Sequence, residues 1–169
     1  MSASANPTYA LRPFLPSDTP LLAEIFRESI FELTGDDYEP AQQDAWATRA
    51  DDEEALAERL GSALTLVATV EKSPIGFIAL EGAEHIDMLY VHPVVASSGV
   101  GTMLCDAIEK LATARGAKRL TVEASDTARG FFEKRGYVAT QRNTVMVGGE
   151  WLANTTMQKQ LTPASGAPT

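Results

Sequence analysis

The chain has 169 residues, 44% of them hydrophobic and 22% charged, enough for one globular domain with its own core. Its net charge of −9 is uneven: positions 1–90 hold 5 basic against 17 acidic residues, positions 91–169 hold 9 against 6. The acidic front half argues against a nucleic-acid surface, and no apolar run nears the roughly eighteen residues of a membrane span, so neither partner is expected.

From the start, Met1 to Pro7 lacks the basic and apolar regions of a secretory signal, and residues 1–6 are expected to be disordered. The lone Cys105 has no partner for an internal disulfide, which together with the missing signal points to the cytoplasm. Tyr9-Ala10-Leu11-Arg12-Pro13 reads as a short strand. Ser17 or Asp18 then caps a helix with Leu22, Ile25, Phe26, Ile30 and Leu33 on one side, closed by Gly35. Pro40 suits the first turn of a second helix reaching about Thr48. Trp46 within it is read as helix packing, with a pocket wall as the alternative. Asp51-Asp52-Glu53-Glu54 opens a third helical stretch that ends near Gly61.

Leu64 to Val70 is an apolar, buried-type strand, and Glu71-Lys72-Ser73-Pro74 turns it into an antiparallel partner over Ile75–Leu80. Ile86 to Val91 is a further strand, stopped at His92-Pro93. A polar loop, Ala96-Ser97-Ser98, leads into Gly99-Val100-Gly101-Thr102 and a long amphipathic helix with Met103, Leu104, Ala107, Ile108 and Leu111 on one face. Ser97 or Ser98 can cap that helix and Gly116 can end it. Its N-terminus offers free N–H groups and about half a positive charge, and the glycines let an anion reach the backbone without meeting a Cβ, so the stretch describes a pyrophosphate cradle. It is neither a P-loop, which needs Gly-Lys-Ser/Thr, nor a dinucleotide fingerprint, whose third glycine would fall at Leu104. Arg119–Glu123 is the next strand, parallel to the one before the cradle because a helix intervenes. A helix around Phe131 and Phe132 stops at Gly136. Tyr137–Val147 and Glu150–Leu161 are strands joined at Gly148-Gly149, a two-residue hairpin signal.

Two patterns stand in order here: Ala96-Ser97-Ser98-Gly99-Val100-Gly101 after a strand, and Ser125-x-x-Ala128-x-x-Phe131-Phe132-x-x-x-Gly136-Tyr137 around the later helix. Together they resemble the two signatures of the GNAT superfamily of acyl-CoA-dependent N-acetyltransferases, Arg/Gln-x-x-Gly-x-Gly/Ala and Asn-x-x-Ala-x-x-Phe/Leu-Tyr-x-x-x-Gly-Phe. The likeness runs from about Leu64 to Leu161. It departs at Ala96, where Arg or Gln is usual, at Ser97 (glycine), at Ser125 (asparagine), and at Phe132, which replaces a tyrosine many members use as a general acid.

The resemblance implies an α/β (α+β) fold: a mixed, mostly antiparallel sheet of about seven strands with a splayed parallel central pair, flanked by about four helices. It assigns residues 7–161 to a single N-acetyltransferase domain and leaves 162–169 as a disordered tail. The implied activity is direct acetyl transfer from acetyl-CoA, a co-substrate, to a primary amine of a small molecule or protein. The alternative is a catalytically silent acyl-CoA-binding or regulatory module. By position, Leu89, Tyr90 and Val91 would pair with pantetheine. Backbone N–H groups from Ser97 through Ser98, Gly99, Val100 and Gly101 to Thr102 would take the pyrophosphate. Ser125, Ala128, Phe131 and Phe132 would flank the thiol, and Lys134 or Arg135 would approach the adenosine phosphates.

For chemistry, regular alternation puts His85, Asp87, Leu89 and Val91 on one strand face and Ile86, Met88, Tyr90 and His92 on the other. His85 occupies a position where histone-modifying members carry a catalytic glutamate. Asp87 is a candidate to hold the substrate ammonium, and Glu123, on the adjoining strand, has a similar claim. Tyr137 and Ser125 are the hydroxyls left to protonate the thiolate in place of Phe132, and no dedicated acid is expected. His92 is read as a structural hydrogen-bonder and Cys105 as inert core. The acidic front half suggests a cationic acceptor. No metal site is expected, and a homodimer is left open.

Overall fold

The computed structural model describes residues 8–162. The expected disordered segments, 1–6 and 162–169, lie outside that range except for Thr162, which has no regular structure. Seven strands form one sheet: β1 (Tyr9–Pro13), β2 (Leu64–Val70), β3 (Ser73–Glu81), β4 (His85–Val91), β5 (Arg119–Ser125), β6 (Val138–Val147) and β7 (Glu150–Gln160). Their order is β1-β2-β3-β4-β5-β7-β6, antiparallel throughout except for β4 beside β5. Five helices flank it, one more than expected: α1 (Thr19–Leu33), α2 (Pro40–Ala47), α3 (Glu53–Ser62), α4 (Val100–Ala114) and α5 (Arg129–Lys134).

The continuous apolar run of β2 follows from burial on both faces. Leu66 and Ala68 join Ile78, Leu80 and Ile86 under α4, while Val67 joins Phe77, Ala79 and Met88 under α1 and α3. The α4 stripe is turned slightly from its expected centre. Leu104, Cys105, Ile108 and Ala112 are fully buried, whereas Leu111 is partly exposed. Burial pushes the Cys105 thiol up to about 12, which leaves it an uncharged core group.

Glycine ends α4 as expected: Gly116 takes φ +91°, and the amides of Gly116 and Ala117 donate to Thr113 and Ala112. At the start of α1, Asp18 holds the N-cap position, but its carboxylate accepts from Arg12 and the Leu15 amide instead of the helix. Gly148 and Gly149 both take positive φ, +54° and +85°, making the two-residue turn of the β6–β7 hairpin. The tip of that hairpin leans on α2, where a Cβ on Gly148 would stand 3.1 Å from that of Ala45. Tyr38, Val147 and Leu152 close a small core beneath it, with Trp46 packed alongside.

One irregularity shapes the centre of the sheet. On β3, Ala79 faces Met88 and Leu80 faces Ile86, so Asp87 is an extra residue in β4. This bulge breaks the alternation assumed above. Ile86 lies with Leu89 and Val91 on the α4 side, and Met88 lies with Tyr90 on the α1 side. Past it β4 and β5 part: they pair only at His85–Thr121 and Ile86–Val122.

Candidate active site

The cradle is built by a tight backbone path. After β4, Pro93–Val95 makes one turn of 3-10 helix, and Gly99 then takes φ +89° at the N-cap of α4. Only glycine holds that conformation without strain. Ser97 and Ser98 therefore do not cap the helix, and the Ser98 hydroxyl donates to the Val95 carbonyl at 2.6 Å. His92 pins the loop as read: its Nδ1 accepts the Val94 amide at 3.1 Å and its Nε2 meets Glu28 of α1 at 2.7 Å. Among the described residues, the amides of Ser97, Gly99, Val100, Gly101 and Thr102 donate to no backbone or side-chain acceptor. Five free N–H groups around one helix N-terminus form a receptor for an anion.

That receptor opens into a cavity of about 800 Å³ that continues along the β4–β5 split. Ser97, Gly99, Gly101 and Thr102 line it, whereas Ser98 does not and Val100 is wholly buried beneath. Leu89, Tyr90 and Val91 supply one wall, and Ser125, Ala128, Phe131 and Phe132 the other. Beyond Ile86 the β4 edge facing β5 has no strand partner, so an extended chain of amides can add there as a strand would. Phe132 is 2% exposed, set edge-on between Phe131 and Tyr137.

At the far end of the cavity His85 and Glu123 come together across the last paired stretch of β4 and β5. The His85 Nε2 stands 3.3 Å from Glu123 Oε1, and its Nδ1 stands 2.9 Å from Thr121 Oγ1. The Thr121 hydroxyl has the Glu84 carbonyl within 3.4 Å. Thr121 thus tethers Nδ1, and Nε2 is the ring nitrogen beside Glu123 on the cavity side. Glu123 Oε2 accepts from Thr156, whose oxygen accepts in turn from Asn143.

The other expected site residues lie elsewhere. Asp87 lines the cavity, but its carboxylate is held by Arg59 of α3 in a two-point pair at 2.6 and 2.7 Å, so it is not free to hold an ammonium. Those hydrogen bonds raise the Arg59 guanidinium further. Tyr137 is turned away from the cavity. Its hydroxyl donates to Glu109 Oε2 at 2.9 Å, and burial followed by the Glu109 charge drives its titration far upward. Lys134 is exposed on α5 and does not line the cavity. Glu81, His85 and Asp87 bring ligand atoms within 4.8 Å of one another, but the pairs with Arg59, Thr121 and Glu123 already occupy two of the three.

Among the lining residues, Tyr38, Arg49 and Arg59 carried no sequence signal, whereas Trp46 had a pocket wall as its alternative reading. Trp46 both packs, as read, and lines the cavity, donating from Nε1 to the Tyr90 hydroxyl at 3.2 Å. Burial pushes that Tyr90 hydroxyl up to about 12. Tyr38 donates to the Ala153 carbonyl at 2.6 Å and accepts from the Asp126 amide at 2.9 Å. Arg49 and Arg59 add two positive charges opposite Asp87 and Glu123. The acidic excess of the front half thus does not gather in the cavity. Among the described residues, no helix is long and apolar enough to cross a membrane.

Residues 34–161 match the family Acetyltransferase (GNAT) domain. The crystal structure of a GCN5-related N-acetyltransferase from Rhodopseudomonas palustris is 58% identical, covers 95% of this chain and 99% of that one, and superposes with a TM-score of 0.89. The uncharacterized N-acetyltransferase YafP of Escherichia coli is 34% identical over 145 residues, 85% of this chain and 91% of that protein. The peptidyl-lysine N-acetyltransferase YjaB of Salmonella typhimurium is 36% identical over 100 residues, 59% and 67% of the two chains.

Proposed function

Because the chain belongs to the GNAT acetyltransferase family, we propose that it transfers an acetyl group from acetyl-CoA directly to a primary amine. The observation that carries this reading is the set of free cradle amides, four of them on residues lining the cavity, that opens into a split between β4 and β5 ending at His85 and Glu123. The residues present fit the donor: a helix N-terminus with unblocked N–H groups for a pyrophosphate, an unpartnered strand edge for an amide-bearing arm, and an apolar wall of Ala128, Phe131 and Phe132 for its thiol end. Acetyl-CoA supplies an acyl carbon on a thiol leaving group.

The amides of Ser97 and Gly99–Thr102 hold the phosphates, and the β4 edge at Leu89–Val91 lines up the thioester. A β4 amide near Leu89 polarises the carbonyl. His85 takes a proton from the incoming ammonium on Nε2, with Thr121 fixing the ring and Glu123 stabilising the imidazolium. With acetyl-CoA bound, the neutral amine would form the C–N bond as the C–S bond breaks, and the surplus proton left on the nitrogen would pass to the departing thiolate. Phe132 has no proton to give and Tyr137 is engaged with Glu109. Ser125, which lines the cavity and accepts from the Ala128 amide at 3.1 Å, keeps its own proton available. The single buried cysteine supports a cytoplasmic setting.

The cradle is tested at Gly101. A Cβ there would stand 3.5 Å from Phe131, an ordinary contact, so Gly101→Asp keeps the fold while bringing a negative charge to the amides. Calorimetry is expected to show acetyl-CoA affinity reduced by tenfold or more. Unchanged affinity in the folded variant overturns the assignment. Binding with no thiol release across an amine panel would instead favour the silent acyl-CoA binder.

A further inference from the structure

The acceptor end of the cavity has two chemically distinct poles. One is the His85–Glu123 pair, already assigned to the amine. The other lies beside the contact of Trp46 in α2 with Tyr90 in β4 and is made of hydrogen-bond donors. Arg49 lines the cavity there, and among the described residues it makes no ion pair and no hydrogen bond. Its neighbour Arg59 is neutralised by Asp87, so the Arg49 charge is the uncompensated one. Tyr90 lines the same pole. Its oxygen accepts from Trp46, and among the described residues its O–H proton has no acceptor. A half-buried hydroxyl whose proton lacks an acceptor is costly unless water or a ligand accepts it. Trp46 of α2 bonds the Tyr90 hydroxyl, Arg49 follows three positions on in the 3-10 turn, and all three line the same cavity.

Between the poles the walls are apolar: Ile30 and Leu33 of α1, and Val145, Val147 and Leu152 of the hairpin. The roof over this space is closed. Gln42 of α2 donates to the Trp151 carbonyl at 2.8 Å, Tyr38 joins Ala153 to Asp126, and Thr127 donates to Asp37 at 2.8 Å. The hairpin tip touches α2 at Gly148 and Ala45, which narrows the cavity on that side.

We propose that the acceptor is a free amino acid, a small amine that carries a carboxylate, with Arg49 and the Tyr90 hydroxyl receiving the carboxylate while the amine faces His85. The charge pattern favours it. The Arg49 guanidinium repels an ammonium and receives an oxyanion, the Tyr90 O–H can donate to the same oxyanion, and a charge-assisted contact of this kind is about twice as strong as a neutral one. The apolar walls select a hydrocarbon side chain or spacer. This inference rests on the acetyltransferase reading above.

The test is thiol release from acetyl-CoA with a panel of α-amino acids and longer ω-amino acids, each beside its own carboxamide and its decarboxylated amine, plus spermidine and a lysine peptide. The best amino acid is expected to exceed its carboxamide and its amine by 10- to 100-fold in kcat/KM. Arg49→Gln is expected to bring that ratio near unity through KM, and Arg49→Lys to recover part of it, which a loss of folding would not do. Turnover of the amine, spermidine or peptide at least as fast as the amino acid overturns this inference and leaves the acetyltransferase reading standing. No thiol release with any acceptor overturns both.

Discussion

The proton-transfer role of His85 can be weighed quantitatively. An alkylamine with a pKa near 10.4 is ionised at pH 7.4 by a margin of about 3 units, so presenting it neutral costs roughly 4 kcal/mol. His85 can offset this because Thr121 anchors its Nδ1 and Glu123 lies 3.3 Å from Nε2, ready to pair with the imidazolium. Replacing it by glutamine keeps a side chain that can bond Thr121 but removes the basic nitrogen. The variant must then draw on the neutral amine already in solution, about one part in 10³, and general base catalysis is itself worth about 10²–10⁴-fold. We expect kcat/KM at pH 7 to fall by about 10²–10³-fold in His85→Gln. The deficit should shrink about tenfold for each pH unit and nearly vanish by pH 10, because solution deprotonation replaces the missing base. Thiol release followed from pH 7 to 10 measures it directly. A deficit below threefold at pH 7, or one that stays constant to pH 10, refutes the assignment.

Two further outcomes concern the frame around the site. Glu109 of α4 is only 13% exposed and joins Arg135, Lys159 and Tyr137. Glu109→Gln leaves Lys159 without an anion and Arg135 with Asp106 alone, a loss of about 1–3 kcal/mol that thermal melting should show as a fall of roughly 3–10 °C, with acetyl-CoA affinity unchanged. Arg12, and then the Leu15 amide, hold the Asp18 carboxyl below its ordinary range. A depressed folded pKa gives stability that is present above the unfolded value near 3.9 and is lost as pH falls through the lower folded value. Asp18→Asn should therefore lower stability at pH 7 by about 1.5–3 kcal/mol and flatten acid denaturation below about pH 4, both readable from denaturant curves across pH.

The sequence alone determined the features that rest on neighbours along the chain. Gly99 and Gly101 at a strand-to-helix junction, the two-sided apolar run of β2, the Gly148-Gly149 turn and the Gly116 stop each follow from backbone freedom or periodicity within a few residues. The cradle and the β2–β3 and β6–β7 hairpins were legible for that reason; that β7 lies between β5 and β6 was not. Tertiary structure decided what depends on register and distant partners. Strict alternation along β4 breaks at the bulge at Asp87, which is visible only once β3 is in register beside it. Asp87 looked free until Arg59, 28 positions earlier, arrived on α3 to pair with it. Tyr137 stood in the right motif, yet Glu109 drew its hydroxyl to the other side of Phe132. Arg49 carried no signal in an acidic stretch, because its meaning lies in what the fold leaves unpaired around it. A lone charge or hydroxyl is defined by its partners, and those are fixed only when the sheet closes.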